Sequence, residues 1–85
     1  MLTETQKGIR NDALVLHYGR LRAAKIPVVK HDDHLIGTHK GEPYIVFCKF
    51  IQHHSDYAMV VLTRYKGKDW GLLAPTELLQ REGGK

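Results

Sequence analysis

The chain has 85 residues and a mass of 9.7 kDa, enough for one hydrophobic core and too little for two, so a single domain over residues 1–85 is expected. Apolar and charged fractions of 42% and 26% exclude intrinsic disorder, and a single cysteine excludes a disulfide-stapled secreted miniprotein. Thirteen Lys and Arg against nine Asp and Glu leave a net +4, with six histidines able to add charge below neutrality, a balance that suits an anionic partner.

No apolar run approaches the length of a membrane span, and residues 1–10 lack the hydrophobic stretch of a signal peptide, which predicts a cytoplasmic protein without membrane contact. Residues 5–25 set Ile9, Ala13, Leu16 and Arg20 in one row and Leu14, Tyr18 and Leu21 in another, the three- and four-residue spacing of a helix. Lys7, Arg10, Arg20, Arg22 and Lys25 give that helix a basic face. Pro27 cannot continue it, and Val28 and Val29 open an extended segment. Leu35 and Ile36 belong to a short hairpin that turns at residues 40–43, a Lys-Gly-Glu-Pro sequence.

Residues 44–51, nearly continuous in apolar and β-branched or aromatic character, predict a central strand covered on both faces, with Lys49 its one polar intruder. A hairpin loop over residues 52–56 leads to a second strong strand over residues 57–64. A turn at residues 66–69 precedes a short strand over residues 70–73. Pro75 and Glu77 then suit the start of a short helix that Gly83 and Gly84 end. The expectation is an α+β domain, an N-terminal helix on a small, mainly antiparallel or mixed sheet of four to five strands, with a short C-terminal helix. Its ordered core covers about residues 5–80 and a polar tail follows over 81–85.

Several side chains invite chemistry. Period-two alternation places Phe47 and Lys49 on one face with Ile45 and Ile51, and Cys48 on the other, where it packs as a small hydrophobe. His31, Asp32, Asp33 and His34 offer imidazoles and carboxylates to a metal, with His39 or the His53-His54 pair as further ligands, although the spacing matches no zinc motif and also suits a polar turn. Ser55, the sole serine, lies beside His54 and Asp56 in sequence, which is not triad geometry. No glycine-rich phosphate loop is present. For nucleic acid, the candidate contacts are Arg10, Arg20, Arg22, Lys25, Lys49, Arg64, Lys66 and Lys68, with Tyr65 and Trp70 interleaved for base stacking or for the core.

Lys7-Gly8 opening a helix with Asp12 behind it, acidic residues ahead of Leu35-Ile36, a glycine turn and an apolar strand ending at Lys49 together resemble the PD-(D/E)XK nuclease superfamily. The nearest varieties are its intron-endonuclease and Holliday-junction-resolvase-like branches, and residues 72–77 look like that branch's closing strand and helix start. The resemblance implies a divalent-metal endonuclease site in which Asp33 and Asp12, with His34 beside them, hold Mg²⁺ or Mn²⁺ and Lys49 works at the phosphate. Phe47 stands two residues before Lys49, where the family carries a metal ligand, and His34 aligns with the family aspartate, so cleavage is expected to be weak or lost and no cofactor required. The five residues between the two long strands are also too few for the family's parallel crossover. The functional expectation is a small nuclease-like DNA-binding domain with little or no cleavage. The alternative is a phage- or mobile-element-type interaction module that inhibits or recruits a host protein. A homodimer is compatible with either.

Overall fold

The first helix, α1, runs over Glu4–Ala23 and is held at its start by a reciprocal cap. Thr3 Oγ1 accepts from the Gln6 amide at 3.1 Å while Gln6 Oε1 accepts from the Thr3 amide at 2.9 Å, satisfying two of the helix's orphan donors. A computed structural model describes residues 2–71 and 73–83 of the chain, without the side chains of residues 53, 82 and 83. Leu72, Gly84 and Lys85, and with them one residue of the 72–77 segment and the end of the expected tail, lie outside the described residues.

Of the two helical rows in the sequence, the one that packs is Leu14, Tyr18 and Leu21, with both leucines fully buried. Ile9 and Leu16 of the other row stay about half exposed. The helix ends in a Schellman motif. The Lys25 amide donates to the Arg22 carbonyl at 3.0 Å and the Ile26 amide to the Leu21 carbonyl at 2.9 Å, with Lys25 itself in the left-handed region at φ 62°.

Five strands follow, β1 (Val29–Lys30), β2 (His34–His39), β3 (Glu42–His53), β4 (Asp56–Tyr65) and β5 (Lys68–Trp70), and a second helix, α2, covers Pro75–Gly83. They form one antiparallel meander in the order β1-β2-β3-β4-β5. The α+β expectation therefore holds, with five strands and purely antiparallel pairing. Two of the turns are Lys-Gly pairs, Lys40-Gly41 and Lys66-Gly67, with φ positive at all four residues as a two-residue type I′ hairpin demands.

The helices pack on one face of the sheet. Leu35, Tyr44, Val46, Thr63 and Tyr65 lie on that face and are buried, and Leu78 and Leu79 of α2 close the core with α1. Tyr44 crosses β2 to donate its hydroxyl to the Pro27 carbonyl at 2.5 Å. That path exists because Gly37 lies beneath it, where a Cβ would collide with the Pro27 carbonyl oxygen and the Tyr44 phenol.

Three expectations are corrected. The central strand is covered on one face only, since Ile36, Ile45, Phe47, Ile51, Val60 and Leu62 project from the side away from the helices, where no described element lies. Apolar sequence alone does not distinguish a strand buried on both faces from one with an open apolar face. The loop read over residues 52–56 is a two-residue turn at residues 54–55, because the ladder continues through Gln52↔Tyr57 and His53↔Asp56 despite their polarity. The final strand is Lys68–Trp70 rather than residues 70–73, because the Lys-Gly turn is complete in two residues.

Candidate nucleic-acid interface

The meander sorts the cations of the chain. β2 ends, and β3 begins, at the Lys40-Gly41 turn, and β4 returns to the same end of the sheet at Lys66-Gly67. The link between α1 and β1 reaches that half of the sheet too, since the Pro27 carbonyl meets Tyr44 near the start of β3, and it brings Lys25 and the last turn of α1, with Arg20 and Arg22. Arg20, Arg22, Lys25, Lys40, Lys66 and Lys68 thus share one end of the molecule, and all six are exposed. Of the described acids, Glu4, Asp32, Asp33 and Asp56 lie at helix and strand ends on the opposite side of the meander. Glu42 and Asp69 share the cationic end, and Lys7 and Lys30 the other, so the cationic end carries an excess of positive charge rather than positive charge alone.

Local contacts explain part of this arrangement without a ligand. Arg20 and Arg22 oppose the negative end of the α1 dipole, and Arg22 donates to the Tyr18 hydroxyl at 3.0 Å and lies over its ring. Lys66 and Lys68 sit over the Tyr65 and Trp70 rings, with Nζ to centroid distances of 5.4 and 5.7 Å. Tyr65 is buried, donating to the His39 carbonyl at 3.2 Å, and Trp70 is half-buried with its Nε1 directed to the Tyr65 carbonyl at 3.4 Å. Neither ring is presented for base stacking, which corrects that part of the expectation for Tyr65 and supports the core reading for Trp70.

Lys25, Lys40 and Lys66 are set apart by their backbone. Each occupies a left-handed site, at φ 62°, 54° and 55°, where glycine or asparagine is the ordinary choice. His54, at φ 57°, is the remaining non-glycine residue of this kind among those described, and it lies at the opposite end. Lys40 was not singled out by sequence reasoning. The signal that could have found it is a Lys-Gly dipeptide between two strand-like runs, at Lys40-Gly41 as at Lys66-Gly67, which marks an I′ turn whose first residue departs from the usual Asn or Asp, whereas Lys7-Gly8 lies within α1.

The other sequence candidates are dispersed. Arg64 lies on the open face and is engaged by Asp69, with Nε–Oδ1 2.7 Å and Nη2–Oδ2 3.1 Å, while its guanidinium covers the Phe47 ring at 5.1 Å. The hydrogen bonds with Asp69 push the Arg64 guanidinium up and, in return, hold the Asp69 carboxyl below its usual range. Lys49 is exposed on the same open face, opposite Val60. Arg10 belongs to the first half of α1 and lines a shallow depression with Asp33, His34, Phe47, Cys48 and Arg64.

The residues implied by the nuclease resemblance do not converge. Asp33 and His34 are together, Oδ1 to Nδ1 2.6 Å, a hydrogen bond that holds the Asp33 carboxyl below its usual range. Asp12 is exposed on α1, on the helical side of the sheet, and Lys49 projects from the other side. Cys48 faces the helical side as expected, half-buried, and burial pushes its thiol up. Among the described residues no three His, Cys, Asp or Glu side chains gather closely enough to hold a metal ion. None of the described helices is long and apolar enough to cross a membrane. Comparison of the chain with family models, with curated proteins and with solved structures finds no match.

Proposed function

We propose that the protein is a DNA-binding domain that grips the phosphate backbone with its cationic end and does not depend on a metal-centred cleavage site. The observation that carries this reading is the occupancy of three strained backbone positions by lysine, all at one end of the molecule. A left-handed L-residue other than glycine or asparagine costs free energy, on the order of 1 kcal/mol per position, and clustering like charges adds to that cost. Turn and cap chemistry alone favours Gly or Asn at Lys25, Lys40 and Lys66. Phosphate binding favours a flexible cation there, since a cation that reaches a phosphate releases condensed counterions from the duplex. Arg20, Arg22 and Lys68 enlarge the same surface. Residues that break a local rule are where function is expected to show.

The separation of Asp12 from Lys49 across the sheet favours binding over cleavage. The cationic end reads backbone rather than sequence, because no helix or ribbon among these elements presents a row of base-reading side chains there. A module acting on a host protein draws its support from a different part of the molecule, the uncharged rim of the long hairpin.

The test is a salt series of labelled-duplex binding by fluorescence anisotropy, with strand integrity followed in Mg²⁺ and Mn²⁺. Wild-type protein is compared with the triple variant Lys25→Asn, Lys40→Asn, Lys66→Asn. The expected result is salt-dependent binding whose log–log slope falls by roughly 2.7 in the triple variant, about 0.9 for each phosphate that the variant leaves unneutralised, while its melting temperature stays the same or rises. No binding by wild type at low salt, or equal binding by both proteins, overturns the reading.

A further inference from the structure

The least covered part of the molecule is the end opposite the cations. β2 pairs with β3 only as far as Phe47, and β5 pairs with β4 only from Thr63. Residues 48–61 therefore extend as a two-stranded arm with no described strand beyond either edge, and the molecule measures 43 × 21 × 17 Å. A two-stranded ribbon alone is marginal in water. This one carries apolar side chains on both faces, Phe50 and Met59 on the helical side and Ile51, Ala58 and Val60 on the open side.

The two edges of the arm differ. Lys49 interrupts the β3 edge, whereas the β4 edge reads Tyr57, Ala58, Met59, Val60, Val61 without a charge or a proline. Monomeric proteins guard such edges with lysine, proline or a bulge, and an unguarded uncharged run is a template for another strand. The exposed surface is 5822 Å², above the ~5,100 Å² expected of a compact monomer of this mass, as the projecting arm requires.

We propose that β4 pairs antiparallel with β4 of a second copy of this chain, about a two-fold axis at Met59, joining the two sheets into one. The occupant is a second copy because the edge is complementary to itself. In that register Tyr57 faces the second copy's Val61 and Ala58 faces its Val60, so every directly opposed pair is uncharged and lies on a common face. The ladder ends at the Tyr57–Val61 pairs, because Gly71 already lies beside Leu62 in that lane. Moving the axis toward the hairpin tip shortens the ladder, and moving it toward the root runs the second strand into the lane occupied by β5. The assembly is independent of whether the cationic end binds DNA.

Sedimentation equilibrium over a dilution series tests it, with circular dichroism confirming the fold of each variant. Wild type is expected at twice the chain mass. Ala58→Lys, at an exposed position, and Val60→Glu, opposite Lys49 within the same chain, are each expected at the chain mass. An equimolar mixture of the two variants is expected to form a dimer again, since the new lysine faces the new glutamate across the axis. A wild-type monomer at every concentration overturns the proposal. So do variants that dimerise as wild type does, which would place the interface elsewhere, on the open sheet face for example, and so does a mixture that stays monomeric.

Discussion

Gly37 and Tyr44 act as a unit. The phenol reaches the Pro27 carbonyl only across a residue without a side chain, and Tyr44 is buried, which pushes its hydroxyl up to about 12. Gly37→Ala is expected to lower stability by about 1–3 kcal/mol by overpacking, and Tyr44→Phe by about 1–2 kcal/mol by leaving the Pro27 carbonyl without its donor; urea melts of both variants measure this. His17 gives a pH signature of opposite chemistry. Burial, and after it the neighbouring Arg20 charge, holds its imidazole below 6.5. A histidine with a folded pKa below its unfolded value contributes stability that is present above pH 6.5 and lost as the pH falls through and below that value. Chemical melts from neutral to mildly acid pH are therefore expected to show declining stability, with a shallower decline in His17→Gln.

At the scale of elements, the sequence announced the pieces better than their limits. The period of Leu14, Tyr18 and Leu21 and the positions of the two Lys-Gly turns were legible, but the turns take two residues each where four were expected, over 40–43 and 66–69, and α1 ends at Ala23 by its own Schellman motif ahead of Pro27. The row on α1 that would be buried was not legible, because Ile9 and Leu16 are as apolar as the row that packs, and only the sheet decides between them. Nor was the length of the arm, because Gln52, His53 and Asp56 look like loop residues while a ladder exposed on its edges tolerates polar side chains. The arm's pairing on one side only sets its dynamics. In the Ala58→Lys variant, amides of residues 48–53 and 56–61 are expected to exchange with deuterium faster than those of residues 42–47, which have strands on both sides. Equal protection of the two groups would show an arm held by something other than its partner strand.

For the molecule as a whole, composition gave the sign of the charge and not its placement. A net +4 is modest, yet the meander brings six cations to one end from separate stretches of sequence, and Lys40 joins them only through topology. The same topology disperses Arg10, Lys49 and Arg64, which sequence reading had grouped with the others. It also holds Asp12 and Lys49 on opposite sides of the sheet, a separation that no spacing along the chain reveals. The distance between the cationic end and the arm has a consequence for valency. Taken together, the two proposals give an assembly of two copies joined at their arms, with the cationic ends directed away from one another as two grips for different stretches of duplex. Under that combination, once the first grip is engaged the second would search at a local concentration fixed by the rigid span between them, and the joined molecule would cross-link DNA segments where the single chain would only bind one.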